Sequence, residues 1–137
     1  PTTTTPPTWG TRPTLTATLA RQDGSTVCER CLLAESPLSR LRGLLGRAGV
    51  ERGEGILLRP ASSIHMWFMR FAIDAVFLDR EGNVLRVVER LRPWRMAGCL
   101  GAKAVIELPA GECARVRLAA GDRVVVKPAA APVARAA

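Results

Sequence analysis

Ile73-Asp74-Ala75-Val76-Phe77-Leu78, then Arg80-Glu81-Gly82, then Val84-Leu85-Arg86-Val87-Val88-Glu89-Arg90-Leu91 is the stretch that decides the fold. β-Branched residues are frequent in both outer runs and a glycine-bearing loop separates them, the pattern of a hairpin. A three-residue loop over 80–82 with Gly82 in the left-handed position is a favoured connection. It sets Phe77 against Leu85 and Ala75 against Val87. A four-residue loop would face Asp74 with Glu89, and like charges there repel. The first run is apolar on both faces except at Asp74, so it is expected at the centre of a sheet. The second run is expected to bury Leu85, Val87 and Leu91 and to turn Arg86, Arg90 and Arg92 to water. That alternation fits an antiparallel sheet with one wet face.

Outward from the hairpin, further strands are expected over 55–59, 63–69, 104–108, 114–118 and 123–126. Pro109-Ala110-Gly111 and Ala120-Gly121-Asp122 supply turns between the last three. One helix is expected over 37–47. Ser36 suits its N-cap, Pro37 its first position, and Leu38, Leu41 and Leu45 recur on one face. Arg42 lies on the rim of that face. The fold class is therefore mainly β (α+β): a compact antiparallel sheet bent into a small sandwich or barrel, with one short helix. Residues 1–24 read as a disordered Thr/Pro-rich tail, 25–127 as a single domain, and 128–137 as a flexible Ala/Pro tail.

Apolar residues make up 47% and charged residues 23%, a normal globular balance. No apolar run approaches the roughly 18–20 residues of a spanning helix, so no membrane span is expected. No secretory signal is visible, which points to the cytoplasm; the chain opens on Pro1, so export stays open if an upstream segment is missing. Twenty basic side chains face twelve acidic ones, for a net charge of +8. Arg86, Arg90 and Arg92, with Trp94 and Arg95 nearby, resemble a footprint of single-strand binding. Yet 18 of the 20 basic residues are arginine among many alanines and glycines, which is a compositional bias, and no nucleic-acid motif is present. Nucleic acid is not the expected partner.

Five stretches in order carry a family resemblance: Arg42-Gly43-Leu44-Leu45-Gly46-Arg47, Ser63-Ile64-His65-Met66-Trp67-Phe68-Met69, Ile73-Asp74-Ala75-Val76-Phe77-Leu78-Asp79, Glu107-Leu108-Pro109-Ala110-Gly111 and Gly121-Asp122. Together they resemble the prokaryotic domain of unknown function 192 over about residues 27–127. The resemblance implies one small β domain with a short helical segment near its start. It implies no agreed activity, so it transfers no catalytic residue. The family pattern includes the Arg-Gly-Leu at Arg42, Met69, Asp74 and Gly121-Asp122. Many relatives of that family are exported or lipid-anchored. The cysteines of this chain are not part of its general pattern.

The chemistry-bearing residues allow several readings. Arg42, His65, Met69, Asp74 and Glu107 form a candidate pocket in which a guanidinium, an imidazole and carboxylates would hold a small anionic ligand. This accessory, ligand-binding role is the leading expectation. An enzyme using His65 with a carboxylate is the second, although Ser62 and Ser63 stand too close to His65 for a triad. An arginine-rich binding module for nucleic acid or another anionic partner is the third. Cys28 and Cys31, with Cys99 and Cys113, lack the paired spacing of a zinc site and are expected as reduced core thiols. A soft site from His65, Met69 and either Met96 or Cys99 would suit copper(I). The packed-strand reading of His65, Trp67 and Met69 is simpler, and no cofactor is expected.

Overall fold

The computed structural model describes residues 16–34, 52–67 and 69–128. Among the described residues nine strands are present: β1 Thr16–Arg21, β2 Thr26–Ala34, β3 Glu54–Leu58, β4 Ser63–His65, β5 Ile73–Leu78, β6 Val84–Leu91, β7 Met96–Gly98, β8 Ala104–Pro109 and β9 Val124–Pro128. One short helix, α1, spans Glu112–Val116. Seven strands form one sheet in the order β6-β5-β8-β3-β2-β1-β9, and β4 pairs with β7 in a second, small sheet. As its composition predicts, β5 is buried along its whole length and lies between β6 and β8.

The large sheet is mixed, which corrects the all-antiparallel expectation: β2 and β3 run parallel. Parallel neighbours need a long crossover, and the helix expected over 37–47 falls in the stretch between β2 and β3 that lies outside the described residues. The sheet curls but does not close into a barrel. At one corner Asn83 forms an isolated bridge with Arg123, Val84 N–H donates to Asp122 C=O (2.8 Å), and Val124 N–H donates to Gly82 C=O (2.8 Å). Beyond that corner β6 and β9 are not paired with each other, so the architecture is an open, sandwich-like α+β domain.

Curling divides the core in two. The inner face gathers Leu19, Cys28, Cys31, Leu57, Val76, Ile106, Leu108, Cys113 and Val124, side chains from both ends of the strand order. The outer face gathers Ile56, Leu58, Ile73, Ala75, Phe77 and Val105, and is covered by Ile64, Met66 and Leu91 with Met69 and Phe71 packed alongside. Burial of these two sets removes most of the apolar surface of β5 and β8 from water, at about 25 cal/mol per Å².

Several local expectations change. Thr16–Arg21 is a strand paired with both β2 and β9, so these residues of the stretch read as a tail over 1–24 belong to the sheet. Its alternation is short and was masked by the threonines around it. The loop 80–82 forms as expected, with Gly82 at φ 88°, Asp79 N–H donating to Asn83 C=O, and the Asp79 carboxylate accepting from Glu81 and Asn83. A register shift immediately after Leu78↔Val84 then pairs Phe77 with Arg86 and Ala75 with Val88, in place of Leu85 and Val87. The irregularity places Leu85 outside, exposed, where strict alternation buried it.

The strand expected over 114–118 is replaced by α1, because Gly111 (φ 95°) turns the chain and a buried carboxylate receives the first helical N–H groups. The strand expected over 63–69 stops at His65. There the Met66 carbonyl accepts from Met69 N–H (3.3 Å) and from Trp94 N–H (2.8 Å), which ends the extended backbone. Cys28 and Cys31 lie within β2. Residues three apart on a regular strand point to opposite faces, but register shifts against β1 bring both thiols into the inner core.

Candidate functional site

Of the five residues of the expected pocket four are described, and among them Asp74 and Glu107 face opposite sides of the sheet. Arg42 lies outside the described residues. Asp74 pairs with Leu108 on β8, and Leu108 belongs to the inner core. Asp74 therefore faces inward and is 0% exposed. Its Oδ1 accepts from Arg90 N–H (2.9 Å), and its Oδ2 accepts from Gly111 N–H (3.0 Å) and Cys113 N–H (2.9 Å). Those bonds hold the left-handed Arg90 of β6 (φ 53°) and the start of α1 against β5. The carboxylate is occupied by the fold itself.

Glu107 is the next residue along β8 and faces the other way. It pairs with Ala75 on one side and Ile56 on the other, both of the outer core. The cross-sheet row through it reads Val88, Ala75, Glu107, Ile56, Leu32. Burial in that apolar row pushes the Glu107 carboxyl up to about 7 from its ordinary 4.5. Met69 is half-buried at the edge of the same outer core.

His65 ends β4, directly opposite Met96 of β7, and both side chains are exposed. Its ring stacks on Trp67 at 5.6 Å between centroids and 23° between planes. Trp67 in turn meets Trp94 at 6.0 Å with a 41° tilt. Trp67 is 40% exposed, Trp94 56% and Met96 64%. The expectation that Trp67 packs in a core is corrected: beyond Met66 the chain turns, and the ring stands on the surface.

Trp94 is presented by a four-residue turn. Arg95 N–H donates to Arg92 C=O (3.2 Å), Pro93 occupies the second position, and Trp94 the third with φ 66°. Turns with a left-handed third residue ordinarily place Gly or Asn there, and a bulky side chain costs about 1–2 kcal/mol. The turn is held to β4 by the Trp94–Met66 bond and by Met66 N–H donating to Arg95 C=O (2.7 Å). Arg92 and Arg95 of the turn are exposed, as is Arg70, and Arg86 reaches across β7 to donate to Gly98 C=O (2.6 Å).

The cysteines split between faces: Cys28, Cys31 and Cys113 are inside, and Cys99 packs on the outer core. A four-cysteine site is thereby excluded, and among the described residues no group of three or more His, Cys, Asp or Glu could hold a metal ion. Hydrogen bonding from the Cys31 thiol lowers Cys28, while that same contact and burial raise Cys31. Burial and the neighbouring Asp74 raise Cys113. A cleft of about 220 Å³ opens elsewhere, at the corner where Arg80 and Arg123 lie beside Asp79 and Glu81. It holds none of the expected site residues. No helix among the described residues is long and apolar enough to cross a membrane.

An open, curled sheet with a small outer β-pair and a surface aromatic ladder defines a strand-dominated α+β domain with no assigned chemistry. The chain belongs to the domain of unknown function 192 family (DUF192), whose model matches residues 18–126 and is described as uncharacterised. A UPF0127 protein of Thermococcus sibiricus is 35% identical over 100 residues, covering 69% of this chain and 64% of that protein. A UPF0127 protein of Pyrococcus abyssi is 42% identical over 64 residues, covering 46% of this chain and 54% of that protein. The matched stretch thus spans less than two thirds of either relative's length. Among solved structures, a proposed transcription regulator from Sinorhizobium meliloti superposes with a TM-score of 0.75 at 21% identity, covering 85% of this chain and 98% of that one. A protein of unknown function from Novosphingobium aromaticivorans gives 0.68 at 22% identity, covering 80% and 83%. These two likenesses show the fold.

Proposed function

We propose that the domain is a non-catalytic binding module that takes an anionic ligand on its outer rim, around His65, Trp67, Trp94 and Met96. One observation carries this reading: a tryptophan held in a left-handed turn position and still 56% exposed. Presentation to a ligand accounts for a bulky, exposed side chain kept in a strained position. Met69 and Glu107 support the rim from the outer face, and Asp74 contributes to folding alone. The buried free thiols Cys28, Cys31 and Cys113 fit a reducing compartment such as the cytoplasm. Titration of the full chain with anionic polymers of different chemistry, oligo-dT and heparin, tests the reading through tryptophan emission. A change with either polymer that is reduced in Trp67→Ala supports it. No change with either at low ionic strength overturns it.

A further inference from the structure

The charge around the aromatic ladder narrows the ligand. Residues 61–73 and 92–106, which contain all four ladder and rim side chains, carry Arg70, Arg92, Arg95 and Lys103 and not one Asp or Glu. All twelve acidic residues of the chain fall elsewhere in the sequence. Arg86, bonded over β7 to the Gly98 carbonyl, adds a cation beside the small sheet. Among the described residues seven large apolar side chains are exposed, and five of them (Trp67, Leu85, Trp94, Met96 and Leu100) lie on β6, on β7 or in the loops beside the small sheet. Leu100 is 100% exposed. The rim therefore combines flat, apolar, π-bearing surface with segments that carry basic side chains and no acidic ones.

We infer that this rim binds single-stranded nucleic acid, with bases stacked on Trp94 and phosphates against Arg92, Arg95 and Arg70; the inference rests on the binding reading above. Trp67 and Trp94, at 6.0 Å and tilted by 41°, are too close to admit a base between them. Stacking is thus directed to the exposed surface of Trp94, which is 56% accessible, while His65 and Trp67 line up beside it. Base stacking on an aromatic side chain is sequence-tolerant, and arginines flanking it track the backbone. A duplex keeps its base faces covered and cannot use Trp94 in this way. The sequence alone argued against nucleic acid because the arginine content is general. What the fold adds is place: it draws two sequence-distant, acid-free segments together around two tryptophans.

The test uses the full chain and fluorescence anisotropy with labelled oligo-dT of about twelve nucleotides, an abasic strand of equal length, and heparin as competitor. Oligo-dT is expected to bind at least tenfold more tightly than the abasic strand, and Trp94→Ala to remove that difference. Arg95→Ala weakens both strands alike and flattens the salt dependence by about 0.7 per lost phosphate contact. Equal affinity for the oligo-dT and abasic strands overturns the inference, as does a Trp94→Ala protein that still discriminates. Heparin binding without oligo-dT binding sinks the nucleic-acid inference and leaves the anionic-rim reading standing. Failure of both polymers to bind sinks both.

Discussion

Asp74 and Trp94 lie on opposite faces of the same domain, and both depart from what their residue types ordinarily do. Asp74 is a carboxylate with no exposed surface, and Trp94 is an indole with more than half of its surface in water. On the inner face the polar exception is completely used: two oxygens, three backbone donors, two turns held together. On the outer rim the apolar exception costs backbone strain and covers little. A buried group saturated by backbone bonds serves the fold. An exposed, strained group held in place serves something outside it. The contrast predicts that variants of the two faces separate, stability falling for one and binding for the other.

The largest effect is expected from Asp74→Ala. It leaves one buried and two partly buried N–H groups without their acceptor, at about 1–3 kcal/mol for the first and about 1 for each of the others, so about 4 kcal/mol of stability should be lost. Urea unfolding measures it, and Asp74→Asn, which keeps an acceptor, should recover part. A loss under about 1 kcal/mol would remove Asp74 from its place as the inner latch.

Gly82→Ala comes next. A Cβ at Gly82 would stand 2.3 Å from the Val124 carbonyl oxygen, and the residue sits at φ 88°. Overpacking against backbone and left-handed strain add to about 3 kcal/mol. The same denaturation assay reads it, and the rim should keep its ligand affinity in the folded fraction. This is the corner where the curled sheet meets itself, so an unchanged midpoint would mean that the corner contacts do not hold the curl.

The turn at Gly82 was legible in sequence; the register beyond it was not. A Gly four residues after Leu78, amid β-branched runs, specifies the loop. The shift that exposes Leu85 depends on where β6 meets the β9 end, a contact forty residues away in sequence. Asp74 was legible as unusual in an apolar strand, but its face was not. The pocket reading groups it with Glu107 as carboxylates of one anionic-ligand site. Their opposite directions follow from the pairing of β5 with β8, which no local pattern encodes. Trp67 was read as core because alternation was extended past His65. The break at Met66 comes from its carbonyl bonding a residue of the distant Pro93-Trp94 turn.

Glu107→Gln sharpens the contrast from the outer face. The folded carboxyl titrates at about 7, whereas an unfolded one titrates near 4.5. Between those values the folded state holds a proton that the unfolded state has released, so stability falls as pH rises through that window and levels off above it. The Gln variant lacks this fall. It is expected to exceed the parent by at most about 3 kcal/mol at pH 8 and to match it below about pH 4. Unfolding midpoints across pH check it, and a parent protein whose stability rises from pH 5 to 7 more than that of the variant contradicts the buried row.

Trp94→Gly carries the smallest stability effect and the most direct reading of the contrast. Gly adopts φ 66° without a Cβ penalty, which returns about 1–2 kcal/mol. Loss of the tilted contact with Trp67 removes about 1 kcal/mol, and the greater freedom of Gly in the unfolded chain removes roughly another 0.5–1. These terms oppose each other, so unfolding free energy should change by less than about 1 kcal/mol. Over the same substitution, discrimination between oligo-dT and an abasic strand should disappear. A variant that loses more than about 2 kcal/mol would instead make Trp94 a packing residue of the outer face. The rim and the inner latch would then differ only in solvent exposure, and the strained turn would need a structural explanation.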